Sequence, residues 1–175
     1  MPKDTFFNLS EEKRERIIDA AYDEFIEYSY DNSIIHRIAK NAGIPVGSFY
    51  QYFEGKDDLF IYMIDNIQNK INEYRQKKYN ILDIFIANRE INLDEILTHK
   101  EMKLIKVFYN IPNDLMKKIF FEHSLEDGTK AIKKYLSQLK QKDMLNEKVD
   151  IDFLSYILHT LSFNIYMYHK DNNLD

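Results

Sequence analysis

Apolar residues recur along this chain at intervals of three and four. Clean period-two alternation bounded by turn residues is missing, so the pattern predicts helices and no sheet. Ile17, Ile18, Ala21, Tyr22, Phe25 and Ile26 form the apolar stripe of a helix that begins at Ser10 and ends near Tyr28. Ser10 is a good N-cap, and Glu11 and Glu12 put negative charge in the first turn, where the helix dipole favours it. A short helix is expected after a cap at Ser33, ending at Gly43 and burying Ile35, Ile38, Ala39 and Ala42. Another runs over 45–52 with Pro45 in its first turn. A long helix over 56–79 carries Leu59, Phe60, Met63, Ile64, Ile67, Ile71 and Tyr74. Later helices are expected over 81–88, over 92–110 behind an Asn92–Glu95 capping box, and over 112–123, 126–145 and 150–170.

Glycine and proline sharpen this picture where they cluster. Gly43, Pro45, Gly47 and Gly55 fall close together, whereas 56–111 contain neither residue. Ala39 precedes Gly43 by four residues and Phe49 follows it by six, which is the spacing of a helix-turn-helix. A small Ala39 lets two helices cross closely, and Gly43 can take the left-handed conformation that the tight turn needs. Ile44, Phe49 and Tyr52 then pin the second helix onto the first. In such a unit the second helix enters the major groove of DNA, so Pro45, Val46, Gly47, Ser48 and Gln51 are candidate DNA-contacting residues. Gly47 permits close backbone approach, while Ser48 and Gln51 can hydrogen-bond base edges, glutamine most naturally to adenine. A three-helix packing unit without DNA contact is the alternative reading of the spacing alone.

The far end of the chain has a different character. Eleven of the sixteen residues over 153–168 are apolar or aromatic and lie nearly all round a helix, so this helix should be buried on two sides. Leu154, Ile157, Leu158, Leu161, Ile165 and Tyr168 are the candidate interface of a two-fold dimer, whose two reading heads would match a palindromic operator. A central core helix in a monomer is the other reading. Ser155, His159, Thr160, Ser162 and Asn164 make the same stretch a poor membrane span.

Charge and chemistry narrow the function further. Lys and Arg total 24 against 29 Asp and Glu, a net charge of −5, which excludes nucleic-acid binding through bulk positive charge. Residues 1–56 carry seven Lys or Arg against ten Asp or Glu, so DNA affinity would rest on a few local contacts. With no cysteine, disulfides, thiolate zinc sites and thiol nucleophiles are excluded, and a cytoplasmic location is expected. The five histidines form no metal-binding pair, and no phosphate loop or nucleophile elbow occurs, so neither an enzyme nor a cofactor or metal site is expected.

Ile17-Ile-Asp-Ala-Ala, Phe25, Ile38-Ala-Lys-Asn-Ala-Gly-Ile, Gly47-Ser-Phe-Tyr-Gln-Tyr-Phe and Lys56-Asp-Asp-Leu together resemble the DNA-binding domain of the TetR family of bacterial transcriptional regulators. The resemblance covers about residues 10–60. It implies an all-α protein: a helix-turn-helix DNA-binding domain over 1–55, then a helical effector-binding and dimerisation domain over 56–175. It also implies a homodimeric, usually repressive regulator released from double-stranded DNA by a small-molecule effector. By position it adds Ser33, His36, Arg37, Tyr50, Tyr52 and Lys56 to the DNA-contacting set; His36 is equally a solvent-facing helix residue. Lys56 would share a phosphate with the N–H groups that open its helix. Two residues depart from the pattern: Ser29 stands where the family usually has glycine, and Val46 where lysine is common. The effector pocket would lie among the middle helices, with Met102, Ile105, Phe108, Tyr109, Met116, Phe120 and Phe121 as candidate lining for a small apolar or aromatic ligand, or as ordinary core. An adaptor of the same fold that binds a protein partner instead of DNA is the alternative function.

Overall fold

In the computed structural model, residues 1–78, 92–123 and 125–172 are described, apart from the side chains of Arg75, Gln76 and Asp127. They are helical, with no strand among the described residues. The order is α1 (Asp4–Phe7), α2 (Glu11–Asn32), α3 (Ile35–Asn41), α4 (Val46–Tyr52), α5 (Lys56–Lys78), a 3-10 turn (Leu93–Glu95), α6 (His99–Phe108), α7 (Asn113–Lys118) running into a π turn (Ile119–His123), α8 (Leu125–Gln141) and α9 (Ile151–Asp171). The helix expected over 81–88 lies outside the described residues. The chain forms two compact units, Met1–Pro112 and Asn113–Asp175. The functional division expected at 55/56 thus falls inside the first unit.

The first unit is built on an aromatic core. Phe6, Phe25, Phe49, Phe53 and Phe60 are fully buried beside Ile17, Ile38, Leu59 and Met63. Phe25 meets Phe60 edge-on, and Phe6 lies 4.8 Å from Phe53. Burying one such ring contributes roughly 1.5–3 kcal/mol, so these five dominate the local packing. The sequence pattern did not point to α1, a single turn whose Phe6 plugs the core between α4 and α5. Helix α2 runs past Tyr28 because Ser29 takes φ 59° and ψ 172°, kinking the helix instead of ending it. Ser10 makes no side-chain cap bond.

The helix expected over 92–110 is two pieces. Asn92 caps only the 3-10 turn, accepting from the Asp94 amide, and the capping box is Thr98 with Glu101, three residues into α6. Glu101 is nearly buried and bonds Lys70 of α5 at 2.5 Å, while Lys100 bridges Asp19 and Asp23 of α2 at 2.6 Å each. These ion pairs orient α6 against the two helices it packs on.

In the second unit α8 and α9 pack as an antiparallel pair behind the π turn. Helix α8 stops at Gln141, short of the expected 145, because Asp143 is left-handed (φ 55°) and closes a Schellman turn. The Met144 amide bonds the Leu139 carbonyl and the Asp143 amide bonds the Lys140 carbonyl. Gly128 of α8 faces the imidazole of His159 so closely that a Cβ there would lie 2.4 Å from the ring. The ring's Nε2 lies 3.2 Å from the Phe120 carbonyl of the π turn, and a carbonyl only accepts, so Nε2 carries the proton.

Candidate nucleic-acid interface

Helices α3 and α4 form the expected helix-turn-helix, and the turn explains its sequence. Helix α3 ends at Asn41, Ala42 is its C-cap, and Gly43 follows at φ 68°. The Ile44 amide bonds the Ala39 carbonyl at 3.0 Å and the Gly43 amide bonds the Lys40 carbonyl at 3.1 Å, a complete Schellman motif. Ile38, Ala39, Ala42 and Ile44 are buried under it. Helix α4 starts on Pro45 as N-cap and buries Phe49 and Tyr52. At its other end, the Lys3 amide and ammonium reach the carbonyls of Tyr52 (2.8 Å) and Tyr50 (3.0 Å), and Thr5 donates to that of Gln51. The N-terminal arm therefore caps α4, which is the role of Lys3 here. Both ends of the helix are thereby fixed, so its outer face is a rigid surface.

That outer face consists of Gly47, Tyr50 and Gln51, all exposed, flanked by half-buried Val46 and Ser48 and by exposed Pro45 and His36. Tyr50 is 49% exposed, held edge-on against Phe49. The other expected contact residues are placed differently. Tyr52 is buried, and its hydroxyl accepts from Lys13 at 3.2 Å. Ser33 is buried and neither caps α3, whose N-cap is Ile34, nor faces outward; its hydroxyl donates to the carbonyls of Ser29 and Glu24. Arg37 holds both carboxylate oxygens of Glu24 through Nε (2.9 and 3.0 Å), donates to the Asn32 carbonyl at 2.7 Å, and stacks 4.0 Å over Tyr28. The bond to Glu24 raises the Arg37 pKa above its ordinary value. Lys56 donates to the carbonyls of Tyr30 (2.7 Å) and Ser33 (3.2 Å), over the Tyr30 ring. Burial, then the bond to Asp57, pushes the Tyr30 phenol up. Arg37 and Lys56 thus bind the kinked end of α2 to α3 and α5.

Sequence reasoning missed Glu24. It is 1% exposed, takes Arg37 on one side and the Ile34 amide (2.8 Å) on the other, and so caps α3 from a neighbouring helix. The signal was present: Glu24 lies seven residues after Ile17 and three after Ala21, on the face the apolar stripe buries.

Residues 17–63 match the family model described as bacterial regulatory proteins, tetR family. These residues carry the DNA-binding domain of the TetR family of transcriptional regulators. The chain is 25% identical over 178 residues to an HTH-type transcriptional regulator of Staphylococcus aureus, covering 95% of this chain and 88% of that one. Among solved structures, FadR from Bacillus subtilis in complex with stearoyl-CoA is 22% identical with a TM-score of 0.55, over 91% of this chain and 88% of that one. NalD, the secondary repressor of the MexAB-OprM multidrug efflux pump in Pseudomonas aeruginosa, is 16% identical with a TM-score of 0.58, over 94% and 88%. These two likenesses are of fold.

The regulator's other candidate residues divide between the two units. Met102, Ile105 and Phe108 are half-buried on α6 in the first unit, and Tyr109 at its C-cap is 53% exposed. Met116 is buried in α7 of the second, while Phe120 and Phe121 pack 5.2 and 4.7 Å from Phe163 as part of that unit's core. On α9, Ser155, His159 and Phe163 face inward. Ile157, Leu161, Ile165 and Tyr168 are 41–62% exposed, with Leu154 and Leu158 half-buried beside them. No described helix of the regulator is long and apolar enough to cross a membrane.

Proposed function

We propose that this regulator is a homodimeric repressor that reads a palindromic operator in double-stranded DNA and leaves it when a small apolar or aromatic effector binds. The observation that carries the DNA-reading part is the outer face of α4: a rigid helix, fixed at both ends, that presents Gly47, Tyr50 and Gln51 outward. The contact set is Pro45, Val46, Gly47, Ser48, Tyr50 and Gln51 with His36 and Lys40 from α3; Ser33, Arg37, Tyr52 and Lys56 hold the domain together. The exposed apolar stripe on α9 supports the dimer, since a stripe of that size left to water would promote association. Effector release would act by changing the angle of α5 and moving two reading heads apart. It is the part supported only by the family.

One observation favours the adaptor reading: of the cations around the helix-turn-helix, Lys3, Lys13, Arg37 and Lys56 are engaged internally. Lys40 has no such partner among the described residues. Selection from a randomised duplex pool at near-physiological salt separates the two. Enrichment of a palindrome is the expected result, with a log K against log salt slope of only about −2 to −4 for the dimer, because few phosphates are neutralised. A folded dimer that enriches nothing would favour the adaptor. Screening small apolar and aromatic compounds for loss of operator affinity tests the release step.

A further inference from the structure

The outer face of α4 carries no cation. Val46–Tyr52 contains neither Lys nor Arg, and Lys3, Lys56 and Arg37 bond the carbonyls of Tyr50, Tyr30 and Ser33 and the carboxylate of Glu24. Lys40, exposed in the last turn of α3, lies on the helix that crosses the DNA backbone in a helix-turn-helix. The commonest way a protein specifies guanine is an Arg or Lys reaching its O6 and N7. Helix α4 itself offers no such side chain. What remains is an exposed carboxamide at Gln51, a hydroxyl at Ser48, a phenol at Tyr50 and an apolar side chain at Val46, half-buried at the start of the helix.

We infer that the base pairs read by α4 are A·T pairs, with Gln51 reading adenine through its N6 and N7 and Val46 packing on a thymine methyl. The inference rests on the proposal that α4 enters the major groove, and it adds which bases are specified there. A glutamine amide donates to adenine N7 and accepts from its N6 amino group, a complementary pair that guanine, with two acceptors, cannot offer. Valine has no polar group to satisfy at a base edge, and the thymine C5-methyl is the apolar feature of the major groove. Gly47, between them, adds no side chain and lets the backbone come close. Val46 and Gln51 are thus specificity-determining residues, while Tyr50 and Lys40 position the helix on the backbone.

The operator recovered by pool selection tests this with two base analogues. In the wild-type regulator, 7-deazaadenine at the adenine facing Gln51 should weaken binding about 3- to 10-fold, a share of one bidentate contact. Uracil in place of the thymine facing Val46 should weaken it about 2- to 5-fold, the loss of one buried methyl. Each penalty should vanish in the matching variant, Gln51→Ala for deazaadenine and Val46→Ser for uracil, since the partner is then already absent. A selected palindrome with G·C pairs in its core would overturn the inference and leave the DNA-reading proposal standing. An A·T core whose penalties persist unchanged in the variants would overturn it too, because the bases would then be read by shape. Recovery of no operator by a folded dimer would remove the DNA-reading proposal and the inference with it.

Discussion

Ser29 is the sharpest place to test whether the kink in α2 is a real constraint. Its φ of 59° with ψ of 172° belongs to a region that glycine occupies freely and an L-residue enters only under strain. Such a residue costs of order 1–3 kcal/mol. Its side chain is exposed, so Ser29→Gly removes no packing, and the Ser29 carbonyl that accepts from Ser33 remains. The variant frees the unfolded chain as well, which offsets about 0.4–1 kcal/mol of the relief. The net expectation is a stabilisation of about 1–2 kcal/mol, or roughly 4–8 °C in Tm for a cooperative unit of this size. Thermal unfolding followed by helical circular dichroism reads this directly. Ser29→Ala, which keeps a Cβ, is the control and should stay within about 0.5 kcal/mol of wild type. If Ser29→Gly melts at or below the wild-type temperature while Ser29→Ala is neutral, the strain argument fails.

Other consequences are equally open to test. Gly128→Ala replaces a poor helix former with the best one, which alone would stabilise α8 by about 1 kcal/mol. The 2.4 Å approach to the buried His159 ring should reverse the sign, to a net loss of about 1–2 kcal/mol by overpacking. His159→Ala in the same chain should recover part of that loss in a denaturant titration. Burial alone would raise the Glu101 carboxyl, but its bonds to Lys70 and Thr98 outweigh that and hold it below the ordinary 4.5. The folded form therefore binds that proton less tightly than the unfolded chain does. Its contribution to stability is present above the ordinary value and is lost as the pH falls through the folded one. Glu101→Gln should flatten the acid limb of the stability–pH curve while lowering stability at neutral pH.

The elements that the sequence revealed are those set by local chemistry. Gly43 was legible because a left-handed residue after a short helix has few occupants, and Ala39, Ile44 and Phe49 had to follow at fixed spacing. Helix α5 was legible from its stripe. Ser29 was visible as a departure from a family pattern, and its dihedral angles supply the reason that glycine is usual there. What stayed hidden depends on partners far apart in sequence. Arg37 and Lys56 entered the DNA-contacting set by their positions in the family pattern, which carries no information about what else each side chain can reach. Only the fold brings Glu24 and the frayed carbonyls at Tyr30 and Ser33 within reach of them. Lys3 capping α4 and His159 filling the space above Gly128 are of the same kind. Local alternatives misled elsewhere: Asn92 and Thr98 both offer a cap followed three residues later by glutamate, and the second one starts the longer helix.

The proposed DNA-reading face of α4 is decided by the operator affinity of the Tyr50→Ala, Gln51→Ala double variant, taken by fluorescence anisotropy beside its thermal melt. Gln51 lies on the exposed face and Tyr50 gives up only its edge contact with Phe49, about 0.5–1.5 kcal/mol, so the melt should fall by no more than a few degrees. Affinity for the selected operator should fall by about 30-fold or more, counting one bidentate contact and one backbone contact in each half-site. Undiminished operator affinity in a variant that melts normally would contradict the account.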